Sequence, residues 1–227
     1  MKRILLLIVA VILSACGQSV TASETVTHAS PNNLTSELFL RIVKTTSDRS
    51  KGYLEAWRRG SDGVFQLDRT FEICTWSGNL GPKLKEGDGQ SPEGFYFVKP
   101  GAMNPNSSYH LSFNLGFPNA YDRAHNRTGS FLMVHGDCVS IGCYAMTVAG
   151  IEEIWALMEK AYDGGQPFVR VHIFPFEMTD EILATQTGNP NHAFWMNLKT
   201  GWDWFERERV PPNVTVSNKT YQFSAGD

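Results

Sequence analysis

The sequence predicts a mainly β protein with helices, an α+β chain whose core is a β-sandwich or an open barrel. Three observations predict it. Short runs of strand character, among them Leu38–Val43, Phe95–Val98 and Tyr109–Phe113, recur between clusters of turn residues. Only after Cys143 does the apolar period lengthen to that of a long helix. Twenty glycines in 227 residues suit a chain of many tight connections. At 42% hydrophobic and 19% charged, the chain can bury one sizeable domain, or one domain with an appendage. The formal charge is −3, no basic patch stands out and no internal repeat is visible, so nucleic acid is not an expected partner.

The N-terminus reads as an address. Lys2 and Arg3 precede an apolar run, Ile4 to Leu13, too short to span a bilayer and suited to a secretory signal. Leu13-Ser-Ala-Cys16-Gly17 resembles a bacterial lipobox, which implies cleavage after residue 15 and lipidation of Cys16. Several acyl chains on one cysteine anchor stably. Gly17 rather than Asp at the next position implies the outer membrane. Residues 16–35 are then the lipidated cysteine and a Ser/Thr/Asn-rich tether.

The body follows in order. Leu38–Val43 reads as the first strand, Tyr53–Trp57 as the second, Gly60-Ser-Asp-Gly63 as a turn and Val64–Cys74 as a third, in antiparallel pairs. Residues 76–94 form a long loop rich in glycine and proline, ending in Ser91-Pro-Glu-Gly94. Phe95–Val98 and Tyr109–Phe113 are strands, and residues 114–129 read as irregular. Thr147 is the expected N-cap of a helix whose apolar face carries Ile151, Ile154, Trp155, Leu157 and Met158, stopped at Gly164-Gly165. Phe168–Phe174 is a further strand, and Thr179 opens a short helix. Residues 191–209 read as a helix in two pieces divided near Gly201, with Phe194, Trp195, Trp202, Trp204 and Phe205 as core. A hairpin around Asn218-Lys219 closes the chain. The expected layout is residues 36–165 as the main domain and 166–227 as an extension packed on it.

The chemistry gathers between residues 131 and 147. Phe131–Val134 reads as a buried strand running into His135-Gly136. Gly142-Cys143 follows across a turn. A thiol is a weak nucleophile until it ionises, and an imidazole is the usual device for that, so a depressed pKa is expected for Cys143. Gly142 leaves room for a substrate carbonyl to approach the Cys143 N–H, a candidate oxyanion donor. Asp137 suits a turn. Tyr109, His110 and Arg123 precede the active strand and are candidates for lining the cleft.

Ser91-Pro-Glu-Gly94 before a strand, His135-Gly136 at a strand end and Ser140-Ile-Gly-Cys143 together resemble the YkuD-type L,D-transpeptidases, over roughly residues 37–165. Cys74-Thr-Trp-Ser-Gly, Gly81-Pro-Lys-Leu-Lys-Glu-Gly-Asp-Gly and the run from His135 to Thr147 are similar to the YafK-like branch, as is the C-terminal segment. The resemblance implies a YkuD-like core, peptidoglycan as partner and no cofactor. It implies that Cys143 attacks a meso-diaminopimelate carbonyl, that His135 carries the proton and that the Gly136 carbonyl orients the imidazole. Gly142 and Ser140 sit in the motif beside the oxyanion site. Within the YafK-like branch it implies release of an outer-membrane lipoprotein from its diaminopimelate attachment. Ile141 stands where the motif has histidine, Ala145 where it has Arg or Asn, and the short His135–Cys143 spacing implies a missing loop over the site.

Other readings stay open. With Cys16 lipidated, three cysteines remain, so Cys74 and Cys138 are either a disulfide that leaves Cys143 free or two small buried apolar residues. His135, Cys138 and Cys143 have a loosely zinc-like spacing but no fourth ligand, and no metal is expected. A cysteine peptidase with its cysteine before its histidine is disfavoured by the order found here. A wall-binding lipoprotein without chemistry is the non-enzymatic alternative.

Overall fold

The computed structural model describes residues 33–45 and 51–226. The expected signal, Cys16 and nearly all of the tether lie outside these residues. Among the described residues, no helix is long and apolar enough to cross a membrane.

Nine strands form one sheet: β1 (Leu34–Thr45), β2 (Lys51–Gly60), β3 (Phe65–Trp76), β4 (Gly94–Val98), β5 (Met103–Ser107), β6 (His110–Asn114), β7 (Met133–His135), β8 (Tyr144–Met146) and β9 (Val169–Phe174). Their spatial order is β4-β9-β1-β2-β3-β8-β7-β6-β5. The hairpins β1–β2 and β2–β3 are antiparallel, as the alternating runs predict. β9 enters between β4 and β1, antiparallel to one and parallel to the other. Part of the segment after residue 166 is therefore a strand within the core sheet.

Two apolar layers flank the sheet. On one face Leu40, Ile42, Tyr96, Val134, Tyr144 and Met146 pack against Ile151, Ile154 and Met158 of α2 (Val148–Asp163). Trp155 and Leu157, expected on that face, are half-buried at its margins. The Thr147 hydroxyl caps α2 by accepting from the Gly150 N–H at 2.9 Å, worth about 1 kcal/mol. On the other face Val43, Phe95 and Phe174 pack against Leu183 of α3 (Asp180–Ala184) and Trp195, Leu198 and Trp202 of α4 (His192–Glu208). The terminal hairpin, β10 (Asn213–Ser217) and β11 (Thr220–Ser224), turns through Asn218 and Lys219 at φ 50° and 58°, the left-handed pair a two-residue hairpin needs.

Three local expectations are corrected, and two strands were not expected. Phe131 is exposed with φ 53°, so the strand begins at Met133 rather than at residue 131. Residues 114–129 are not irregular throughout: Asn119 and Asp122 form a capping box that starts α1 (Ala120–Ala124). β5, broken by Pro105, and β8, three residues long, lack a sequence signal of their own. α4 is continuous through Gly201, because glycine there serves packing rather than a break. A Cβ at residue 201 would lie 2.5 Å from the Phe95 ring and 2.6 Å from Phe223.

Candidate active site

β7 and β8 pair in parallel, with Val134 opposite Tyr144 and His135 opposite Ala145. Parallel neighbours ordinarily need a long crossover. Here the strands are three residues each, about 10 Å, and the residues from 136 to 143 suffice to return the chain. The return places Cys143 beside Met133, one register step before Tyr144. Val134, Tyr144 and Met146 face the core, so Met133, His135, Cys143 and Ala145 share the opposite face. The base and the thiol are diagonal neighbours on one sheet surface, not partners across a turn.

The imidazole is held from two sides. His135 Nδ1 lies 2.5 Å from the Gly136 carbonyl. A carbonyl only accepts, so this bond puts the ring proton on Nδ1 and leaves the Nε2 lone pair free to take a proton. Tyr109 stacks on the ring, centroids 4.6 Å apart, and His135 is buried. Of the other cleft candidates, His110 sits at φ 70° and its Nε2 reaches the Glu152 carboxylate at 2.8 Å on the surface. Arg123 bonds the Pro118 carbonyl and lines a groove with β10, so its described contacts do not lead to Cys143. Asp137, at φ 63°, makes the turn expected of it.

The thiol is half-buried. It donates toward the Phe131 carbonyl at 3.6 Å and accepts from the Met133 N–H at 3.4 Å. Among the described residues it makes no hydrogen bond to His135. Burial pushes its pKa up, while the Met133 amide and the charge of Lys83 pull in the other direction without reversing the shift. The expectation of a depressed pKa is thus corrected: Cys143 rests as a thiol and has to give its proton away at the moment of attack.

The loop before β4 clamps the nucleophile. The buried Ser91 hydroxyl donates to the Cys143 carbonyl at 2.9 Å, and the Ser140 hydroxyl donates to the same oxygen at 2.7 Å. The Gly142 N–H donates to Ser77 Oγ at 2.5 Å, and the Ser77 N–H donates to Ser91 Oγ at 3.1 Å. Gly142 sits at φ 110°, open to glycine and strained for other residues. Its amide is occupied, which leaves the Cys143 N–H as the nearer oxyanion candidate. Beneath the loop, Lys44 and Glu93 pair at 2.9 Å with both side chains fully buried. The Lys44 ammonium also donates to the Ser91 carbonyl at 2.7 Å, and Glu93 accepts from the Gly81 N–H at 2.7 Å and Trp195 Nε1 at 2.9 Å. Sequence reasoning found Ser91-Pro-Glu-Gly94 as a motif but gave no role to Ser77, Ser91 or Lys44. The hydroxyls stand at the two ends of a glycine-rich loop, and nothing local marks them as neighbours.

Cys74 and Cys138 are joined as a disulfide, the first of the two open readings, and Cys143 is the free cysteine among the described residues. Cys138 is therefore not available as a ligand. A cleft of about 980 Å³ lies beside Trp76, Glu177 and α3, and neither of the thiol's hydrogen-bond partners, Phe131 and Met133, lines it. A groove of about 680 Å³ is walled in part by Phe131 and Met133, whose backbone atoms contact Cys143 Sγ.

No family model matches the chain. The candidate L,D-transpeptidase YafK of Escherichia coli, from strain K12 and from strain O157:H7, is 51% identical to it over 160 residues, 70% of this chain. Over that stretch the chain is similar to these relatives. It spans 65% of the length of those relatives. Two solved structures are also similar. The helical cell shape determining protein Pgp2 from Campylobacter jejuni has 18% identity and a TM-score of 0.47, over 82% of this chain and 76% of that one. Bd1075 from Bdellovibrio bacteriovorus has 16% identity and a TM-score of 0.43, over 82% and 78%. The stretch that carried the sequence resemblance, from His135 to Thr147, is the stretch that builds the site.

Proposed function

We propose that this protein is a cysteine acyltransferase of the L,D-transpeptidase type acting on peptidoglycan stem peptides at meso-diaminopimelate. The observation that carries the reading is the shared sheet face of Cys143 and His135, with the imidazole tautomer set by the Gly136 carbonyl. Nε2 of His135 takes the thiol proton as the sulfur bonds to the substrate carbonyl carbon. The carbonyl oxygen takes the charge, facing the Cys143 N–H. Collapse breaks the bond to the leaving amine, which receives the proton from Nε2, and a thioester remains. An acceptor then attacks the thioester, loses its proton to Nε2, and the thiol is regenerated. General acid–base catalysis of this kind contributes about 100- to 10,000-fold, and an oxyanion donor roughly 100- to 1,000-fold.

An amine acceptor gives a crosslink and water gives hydrolysis. The hydrolytic form, an amidase freeing a lipoprotein bound to peptidoglycan, is the second reading. Ile141, 90% exposed beside the nucleophile, and Ala145 supply no acceptor-binding polar group where the resembled motif has one. The lipobox at Cys16 supports an anchor on the periplasmic side of the envelope, at the outer membrane. The test incubates the full chain and its Cys143→Ala variant with sacculi that carry bound lipoprotein, and analyses muropeptides and released protein by mass spectrometry. New diaminopimelate–diaminopimelate crosslinks mean transpeptidation. Released lipoprotein without crosslinks means hydrolysis. No Cys143-dependent change refutes the enzyme and favours a wall-binding module.

A further inference from the structure

Three observations converge on the groove beside Cys143. The first is its floor. Asn104, Ser112 and His135 align across β5, β6 and β7, and Asn114 aligns with Met133 in the adjoining row. Directly opposed residues share a sheet face, so the groove floor is the surface that carries the base and the thiol. The second is Ser112. Its side chain is fully buried, it lines the groove, and its hydroxyl has no partner among the described residues. A buried hydroxyl left unpaired costs about 1–3 kcal/mol, so this one calls for a partner. The third is Lys99, which lines the same groove, is exposed, and among the described residues has no ion pair or hydrogen bond through its ammonium. No carboxylate lines the groove; its remaining polar side chains are carboxamides.

A groove with one cation, no anion, two carboxamides and an unpaired hydroxyl, flanked by Phe131 and Met133, suits an extended peptide that bears a free carboxylate. We infer that it is the acyl-donor subsite: Lys99 pairs with a free carboxylate of the donor peptide, and Ser112 hydrogen-bonds the peptide next to the bond that Cys143 attacks. This rests on the peptidoglycan reading and deepens it. In a stem peptide the residue before diaminopimelate is a γ-linked glutamate, whose α-carboxylate is free. Lys99 would then select for a stem that keeps this acid, against one in which it is amidated. Ser112 is separate from the His135 proton path and acts as a positioning residue.

The test measures binding calorimetrically in the full chain carrying Cys143→Ala, which cannot turn over. The probes are L-alanyl-γ-D-glutamyl-diaminopimelate and its glutamyl α-carboxamide. Lys99→Ala should weaken the acid about two- to fivefold, the range of an exposed ion pair. Lys99→Glu should weaken it further, and both variants should bind the carboxamide as the parent does. Ser112→Ala should weaken both probes alike, by roughly two- to tenfold. Lys99 is on the surface, so its variants fold even if a Ser112 variant does not. Equal binding of acid and carboxamide by the parent, or unchanged binding of the acid by both Lys99 variants, overturns the subsite. If the wild-type chain still processes sacculi in a Cys143-dependent way, that failure belongs to the groove alone. If neither probe binds and sacculi are untouched, the groove and the peptidoglycan reading fall together.

Discussion

Glu93→Gln is the perturbation that most directly probes how the site is held. Each oxygen of the Glu93 carboxylate faces donors only: Oε1 meets the Lys44 ammonium and the Gly81 N–H, and Oε2 meets Trp195 Nε1–H. A carboxamide has one accepting end, so its NH₂ has to turn against a donor whichever way it is placed. The substitution also removes the carboxylate that opposes the downward pull of burial on the Lys44 pKa, so Lys44, with no exposed side-chain surface, either keeps an unpaired charge or gives up its proton. Breaking a buried pair on one side costs about 3–5 kcal/mol. In a chain of this size that is roughly 6–20 °C in Tm. The assay is urea and thermal unfolding followed by tryptophan fluorescence, in Glu93→Gln, Lys44→Met and the double variant. The double variant should be no less stable than Glu93→Gln, because removing Lys44 removes the stranded group. The carbonyls it abandons, those of Asn79, Gly81 and Ser91, keep the Gln90 Nε2 as a donor. A loss under about 1 kcal/mol for Glu93→Gln, or a double variant that adds the full cost of both changes, would refute the account. So would unchanged alkylation of Cys143, since Ser77 and Ser91 hold the nucleophile through this loop.

Other outcomes follow from the same physical terms. The rate of iodoacetamide alkylation of Cys143 should rise with pH to a midpoint above the ordinary thiol value of about 8.5, since burial favours the neutral form; a midpoint below it would count against the resting thiol. His172 is fully buried among Phe39, Phe95 and Phe174, and burial, with Arg170 and Arg41 adding, holds its pKa well below the ordinary histidine value. The unfolded chain takes up this proton first, so stability should fall as pH drops below about 6.5, by up to roughly 1.4 kcal/mol per unit. His172→Leu should remove one proton from that acid slope, and an unaltered slope would exclude His172 as its source. Gly201→Ala should destabilise by about 1–3 kcal/mol through overpacking, although helix propensity alone favours alanine by about 1 kcal/mol; a more stable variant would mean that Phe95 and Phe223 yield freely. The Cys74–Cys138 bridge spans a sequence separation of 64, so replacing both cysteines by alanine should cost about 4 kcal/mol in denaturant unfolding, and a loss below about 1 kcal/mol would mean that the unfolded chain is constrained by other means.

Taken alone, the sequence determined what depends on near neighbours. The Thr147 cap and the 3.6-residue period of α2, the left-handed Asn218-Lys219 turn, and the alternation in β1 to β3 are written within a few residues of where they act. The pairing of His135 with Cys143 was legible for the same reason, since both lie within one short stretch. Tertiary structure decided the rest, because the deciding partner lies far along the chain. β8 has only three residues and becomes a strand because β3 and β7 offer open edges on both sides of it. Gly201 looked like a helix break until the rings of Phe95 and Phe223 filled the space where a Cβ would stand. Ser91 reaches Cys143 across 52 positions and Glu93 reaches Trp195 across 102, contacts that no local period reports. The thiol's pKa went the opposite way from expectation because a motif names the base but not the burial. Desolvation is set by everything packed around the sulfur, and only the folded chain contains that sum.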